Sequence, residues 1–256
     1  MNPTGRREGV TTVLKLGGSV VTEKDRPETV DRDGLADVTA SIGSAEPDRL
    51  VVVHGGGSFG HHHAAAAGVS ETEGTDDAGS IREIHAAMGR LNAAVVDALS
   101  EQGVAAVPVR PFSLGHRAAD GTMTLPADGV EAMLAESFVP VLHGDVVVHA
   151  GKGATVLSGD EIVGSLARSL SAERVGLCSS VPGVLDSSGD VIDRIDEYGT
   201  VADALGESDA TDVTGGMAGK VRSLLQLPAP ASIFGPEDLR TFLDGGRPGT
   251  LIDGNA

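Results

Sequence analysis

The sequence predicts an α/β fold, on three observations. Short apolar runs of strand length alternate with segments of helical periodicity along the 256 residues, the pattern of a sheet covered by crossover helices. Three glycine-rich segments each stand where a strand passes into a loop or helix. The chain shows neither an internal repeat nor a linker, and its length suits one large domain or one domain with two lobes.

Thr12 to Leu16 reads as a short buried strand ended by Gly17 and Gly18, Asp33 to Ser44 as a helix, and Val51 to Val53 as a second strand. HGGGSFGH follows, with a helical turn at Ala64 to Ala67 and a polar loop, SETEGTDDAG. Ser80 with Glu83 reads as a capping box opening a helix whose Ile81, Ile84, Met88, Leu91, Val95 and Leu99 recur at helical spacing until Gly103. A strand from Val104 to Val109, a hairpin over the site within 110–126 and a short helix from Gly129 to Glu136 come next. PVLHGDVVVHAGKGATVLSGDEIV then gives strand, hairpin around Gly151 to Gly153, strand, and a capping box from Ser158 to Glu161. A helix from Ile162 to Leu170, a strand from Arg174 to Ser180, a hairpin, a helix near Tyr198 to Leu205, a glycine loop opening into a helix, and a final strand, helix and strand complete the reading.

Composition excludes several classes. The formal net charge of −18 argues against nucleic acid or an anionic membrane as partner, since both reward Lys and Arg. No run of 18 apolar residues occurs and the amino terminus lacks the apolar core of a signal peptide, so a soluble, cytosolic protein is expected. Cys178 is the only cysteine, which rules out an intrachain disulfide and disfavours a Cys-based zinc site; a metal, if used, arrives with a ligand. Only four of 19 basic residues are lysines against 37 acidic residues, a balance that fits a high-salt cytoplasm. In a chain that avoids lysine, Lys15, Lys24 and Lys220 stand out because each lies in or beside a glycine-rich or turn segment.

The glycine segments are KLGGS at 15–19, HGGGSFGH at 54–61 and TGGMAGK at 214–220. Backbone without side chains can turn several amide N–H groups onto one ligand, and a helix N-terminus beyond it favours an anion. Unrelated tight turns are the plain alternative, but two of the three segments also carry a lysine. TGGMAGK does not fit GxxxxGK[ST], because Val221 follows Lys220. Phosphoryl transfer needs positive charge across donor and acceptor phosphates, which Lys15 and Lys220 can supply from opposite sides. Asp160, in LSGDE, can hold both ammonium groups, or can be simply an acid in the first turn of a helix. His61 follows the cradle directly and can bond an acceptor phosphate; three metal ligands from His61, His62 and His63 are disfavoured because successive side chains diverge. Ile84 and Met88, one helical turn apart, can face an apolar tail or belong to the core, with Val147 and Leu157 as weaker candidates for the opposite wall.

At these residues the sequence resembles the amino acid kinase superfamily and, within it, the archaeal isopentenyl phosphate kinases: VLKLGGSVVTEKD, HGGGSFGH, PVLHGDVV, LSGDEIV and DVTGGMAGKV stand in the family's order over nearly the whole chain. The resemblance implies an open αβα sandwich with a mainly parallel sheet, an acceptor-binding lobe over about residues 10–170 and an ATP-binding lobe over about 171–256. It implies transfer from ATP, with Mg²⁺, onto isopentenyl phosphate, and a homodimer. Gly55, Gly56, Gly60 and His61 would hold the acceptor phosphate, and Gly17, Gly18 and Ser19 the donor phosphates. Lys15 and Lys220, assisted by Lys24, would stabilise the moving group, with Asp160 orienting the lysines and Gly215, Met217 and Gly219 along the nucleotide. His62 stands where the family commonly has proline. Rival readings are a fosfomycin-kinase-like enzyme of the same fold and a non-catalytic nucleotide-binding sensor.

Overall fold

The buried strands predicted from apolar runs assemble because each run is apolar on both faces, and only a sheet covered on both sides can accept it. The computed structural model describes residues 9–205 and 216–255. The first half of the chain forms β1 (Thr11–Leu16), α1 (Gly18–Val21), α2 (Arg32–Ala45), β2 (Arg49–His54), α3 (Gly57–Ala67), α4 (Ala78–Glu101), β3 (Ala106–Pro108), β4 (His116–Arg117), β5 (Met123–Thr124) and α5 (Asp128–Ala135). The second half forms β6 (Val139–His143), β7 (Asp145–His149), β8 (Gly153–Leu157), α6 (Gly159–Ser169), β9 (Arg174–Cys178), β10 (Arg194–Ile195), α7 (Ala202–Leu205), α8 (Gly216–Leu224), β11 (Ala231–Phe234), α9 (Leu239–Leu243) and β12 (Thr250–Ile252).

Eight strands make the main sheet in the order β10-β12-β11-β9-β1-β2-β6-β3, parallel except where β11 meets β12. Val13, Val51, Val53 and Val175 pack under α5, α6 and α8, while Leu14, Leu16, Leu50 and Val52 pack under α2, α4 and α9. This is the αβα sandwich. The chain runs outward from β1 through β2 on one side and returns as β9 on the other, so the strand order reverses between β1 and β9. In open α/β sheets the ligand crevice lies beyond the carboxyl ends of strands at such a reversal. The loops leaving β1, β2 and β9 are therefore the ones to examine.

A second sheet, β5-β4-β7-β8, contains the hairpin predicted within 110–126. Its buried Arg117 reaches Glu161 in the first turn of α6 at 2.8 and 3.1 Å. The predicted capping box at that turn is present, Ser158 accepting from the Glu161 N–H and Glu161 from the Ser158 N–H.

Three local expectations are corrected. Helix α3 starts at Gly57 within the glycine segment, not at Ala64: the N–H groups of Phe59 and Gly60 already donate to the Gly56 carbonyl. Glycine disfavours a helix in isolation, but here tertiary contacts decide, since a Cβ on Gly60 would lie 2.9 Å from the Met88 sulfur. Helix α4 is capped by Asp77, whose carboxylate accepts from the Ser80 N–H at 2.8 Å and from the Ser80 hydroxyl at 2.7 Å, so Ser80 is not the cap. Strand β3 is shorter than Val104 to Val109 because the Val104 N–H closes the end of α4 on the Leu99 carbonyl.

Replacing Asp77 with Ala is expected to lower the melting temperature, whereas Glu83→Gln leaves it unchanged. Thermal denaturation of the two variants checks the reassigned cap; equal effects would restore the Ser80 box.

Candidate active site

The loops after β1 and β2 touch backbone to backbone. A Cβ on Gly18 would sit 2.4 Å from the Gly57 nitrogen, and one on Gly55 would sit 2.8 Å from the Gly18 nitrogen. Neither loop could carry side chains there. Gly57 has φ +47°, a conformation that glycine alone adopts without strain, and its missing Cβ leaves room for the Thr22 side chain. Thr22 ties both loops together: its hydroxyl donates to the Gly18 carbonyl at 2.8 Å and accepts from the Ser58 N–H at 3.0 Å.

Several backbone donors at these loops are left without a protein acceptor. Among the described residues no protein acceptor meets the amide N–H groups of Gly18, Ser19, Gly56, Gly57, Gly159 or Asp160. The starts of α3 and α6 converge beside Gly144, where a Cβ would stand 3.8 Å from the Gly56 nitrogen and 3.6 Å from the Gly159 nitrogen. Helix N-termini and amides without a protein acceptor are the kind of donors that suit an anion.

Lys15 projects from β1 on the same face as Val13, toward α6. Its ammonium donates to Asp160 at 2.6 Å, with both side chains largely buried. Burial of an ammonium requires such a partner. Asp160 also lines a small crevice with Val163, Gly164, Lys220 and Ser223. Met217 packs half-buried against the core under α6, and Gly219 lies beside Lys220 on α8; Gly215 falls outside the described residues.

His61 is exposed on α3, its Cδ2 3.7 Å from where a Cβ on Gly56 would be, which places the imidazole over the cradle. His62 and His63 do not join it. Among the described residues no three His, Cys, Asp or Glu side chains form a metal-binding group. His63 instead donates to Glu28 at 2.6 Å, and Arg90 grips the same carboxylate at 2.6 and 3.0 Å. With the Glu28 N–H on the Ser58 carbonyl at 3.3 Å, this clamp fastens the turn bearing exposed Lys24 to α3 and α4. Glu28 had no local sequence signal, since its partners lie 35 and 62 residues away.

The tail candidates divide. Ile84 packs with Ala64, Val69, Val146 and Ala154 in a small cluster between α3, α4 and the β7–β8 hairpin. Met88 lies in the core under α4 and supports Gly60. Val147 and Leu157 belong to the core under α6, so the structure does not bring them to Ile84; alternation along the hairpin strands turns Val146 and Val156 that way instead. A separate depression of about 610 Å³ is lined by Gly9, Arg49, Glu131 and Ser171. It sits at the amino ends of β1 and β2, away from the donor cluster.

Comparison with known proteins fits this geometry. Residues 10–228 match the Amino acid kinase family. The chain belongs to the amino acid kinase family. It is 64% identical over 243 residues to an isopentenyl phosphate kinase of Haloferax volcanii, covering 94% of this chain and 98% of that protein. It is 37% identical to an isopentenyl phosphate kinase of Methanothermobacter thermautotrophicus, covering 84% of this chain and 86% of the relative. A solved isopentenyl phosphate kinase structure superimposes with a TM-score of 0.80 at 30% identity, over 94% of this chain and all of the other. The αβα architecture expected from the motifs is thus that of its structural relatives.

Two outcomes follow. Asp160→Asn removes the charge that holds Lys15, and kcat is expected to fall on the order of 10²-fold with the melting temperature little changed; undiminished turnover would show that Lys15 needs no partner. The hydrogen bond from His63, then that from Arg90, holds the Glu28 carboxyl below its ordinary 4.5. A depressed carboxylate stabilises the fold above its unfolded pKa and loses that contribution as pH falls through the folded value. Glu28→Gln should therefore lessen the loss of stability below about pH 4.5, read by denaturation across pH.

Proposed function

We propose that this chain catalyses ATP-dependent phosphorylation of isopentenyl phosphate to isopentenyl diphosphate. The single observation carrying the reading is that two interlocked glycine loops, with the Lys15–Asp160 pair at their base, gather free amides from both sides of one crevice. The 64% identical relative named isopentenyl phosphate kinase supplies the acceptor class.

The acceptor phosphate binds the start of α3 through the Gly55–Gly60 backbone and His61, with its apolar tail toward the cluster of Ala64, Ile84 and Val146. The donor phosphates bind Gly17, Gly18 and Ser19, and the nucleotide extends toward α8, Met217, Gly219 and the segment containing Gly215. An acceptor oxygen attacks the γ-phosphorus in line, the bond from that phosphorus to the β,γ-bridging oxygen breaks, and ADP leaves with the electron pair. A phosphate monoester is already ionised near neutral pH, so no residue must take a proton from it. Lys15 and Lys220, with Lys24 from its clamped turn, neutralise the charge spread over the moving group.

The crevice offers amides and an ammonium group, and Asp160 is engaged by Lys15, so Mg²⁺ would come with the nucleotide rather than be held by a carboxylate of this chain. Bound there, it would shield phosphate charge. The division into an acceptor lobe over about 10–170 and a nucleotide lobe over about 171–256, the homodimer and the cytosolic location belong to the same reading. So does a high-salt setting: a net charge of −18 is self-repulsive in dilute buffer, and molar salt shortens the Debye length to about 3 Å. No described helix is long and apolar enough to cross a membrane.

ADP release measured in high salt with isopentenyl phosphate, fosfomycin and acetylglutamate tests the acceptor. Isopentenyl phosphate should give the highest kcat/KM; preference for either alternative overturns the assignment. His61→Ala should reduce kcat by about 10²-fold or more, and His61→Gln with the full rate would remove the imidazole from the account.

A further inference from the structure

Two histidines that play no part in the transfer lie directly beneath the cradle. His54 ends β2 and His143 ends β6, paired in register, both fully buried, with ring centroids 5.6 Å apart and 28° between planes. Each is followed by a glycine, and each directs Nδ1 at that glycine's carbonyl: His54 to Gly55 at 3.1 Å and His143 to Gly144 at 2.9 Å.

We propose that His54 and His143 are positioning residues that hold the Gly55 and Gly144 carbonyls away from the anion site, so that amide N–H groups rather than carbonyl oxygens face the phosphates. The inference rests on the kinase reading above.

The argument begins with the peptide plane. The carbonyl of Gly55 and the N–H of Gly56 belong to one trans peptide and point in opposite directions. Anchoring the carbonyl on His54 therefore aims the Gly56 N–H the other way, and among the described residues that N–H has no protein acceptor. Glycine restricts ψ less than any other residue, so the loop needs an external restraint. Gly144 presents the same problem from the other side, standing between the Gly56 and Gly159 nitrogens. Its carbonyl, turned inward, would satisfy those amides and place negative charge where phosphate belongs.

The ring protons fit this role. Burial pushes His54 down to about 4 and His143 to about 3, so each ring is neutral with one N–H. His143 Nε2 is buried without a partner, which leaves the proton on Nδ1. Asp145 does not compete: its carboxylate is 3.8 Å from His143 Nδ1 but receives the His85 N–H at 2.8 Å. For His54, Nε2 lies 3.1 Å from the side-chain oxygen Oδ1 of Asn92. A proton on Nε2 would meet that oxygen but set the Nδ1 lone pair against the Gly55 carbonyl at 3.1 Å; the proposed tautomer therefore has the Asn92 amide flipped, its nitrogen donating to Nε2, with the ring proton on Nδ1.

The test has two arms on the full chain in high salt. Long-range ¹H–¹⁵N spectra of histidine-labelled protein should show both rings as neutral Nδ1–H tautomers from pH 8 down to about pH 5; an Nε2–H tautomer or an imidazolium at either position overturns the proposal. This arm needs no substrate and stands even if isopentenyl phosphate proves not to be the acceptor. In the second arm, Asn reproduces a donor at the δ position and Gln one at the ε position. At each site the Asn variant should keep the KM for isopentenyl phosphate within about threefold, and the Gln variant should raise it by about 10-fold or more, the worth of one hydrogen bond to a charged group. Equal effects of Asn and Gln, or none, overturn it; where a Gln variant does not fold, the tautomer decides.

Discussion

The structure depends on one steric constraint: the loops after β1 and β2 meet through their backbones, with no space for a Cβ on Gly18 or Gly55. Close approach of two bare loops turns several amides toward one volume, which no arrangement of side chains could do as compactly. Everything charged in the site is arranged around that contact. Thr22 bridges the loops, Lys15 rises from the strand below them, and α6 brings Asp160 to the Lys15 ammonium.

The surrounding fold restrains these loops. Two converging helix N-termini place like partial charges near one another, and each element has its own anchor. Arg117 and Ser158 hold α6, and Glu28 with His63 and Arg90 holds the Lys24 turn. Preorganisation of this kind removes reorganisation from the transfer step, the condition under which fixed donors contribute most to catalysis.

Much of this was legible in the sequence, for physical reasons that also mark where legibility ends. Buried parallel strands announce themselves as apolar runs, and the Ser158 box follows a fixed local spacing. Lys15 and Asp160, 145 residues apart, can be paired only by chemical role, a lysine in a glycine-rich turn and a carboxylate able to hold it. The start of α3 was misread because propensity counts glycine against a helix, while the close packing of Gly57 and Gly60 overrides it. Val147 and Leu157 were misplaced because strand alternation says which residues share a face but not which face lies toward the site. Glu28, His54 and His143 were missed since their significance arises only from long-range or register neighbours.

The most direct measurement is a crystal structure with isopentenyl phosphate and an unreactive ATP analogue bound together. The account predicts the acceptor phosphate on the Gly56 amide and the His61 imidazole, with Lys15 and Lys220 at the terminal phosphate of the analogue. An acceptor phosphate bound away from the Gly55–Gly57 loop, or a Lys15 ammonium turned from both phosphates, would contradict it.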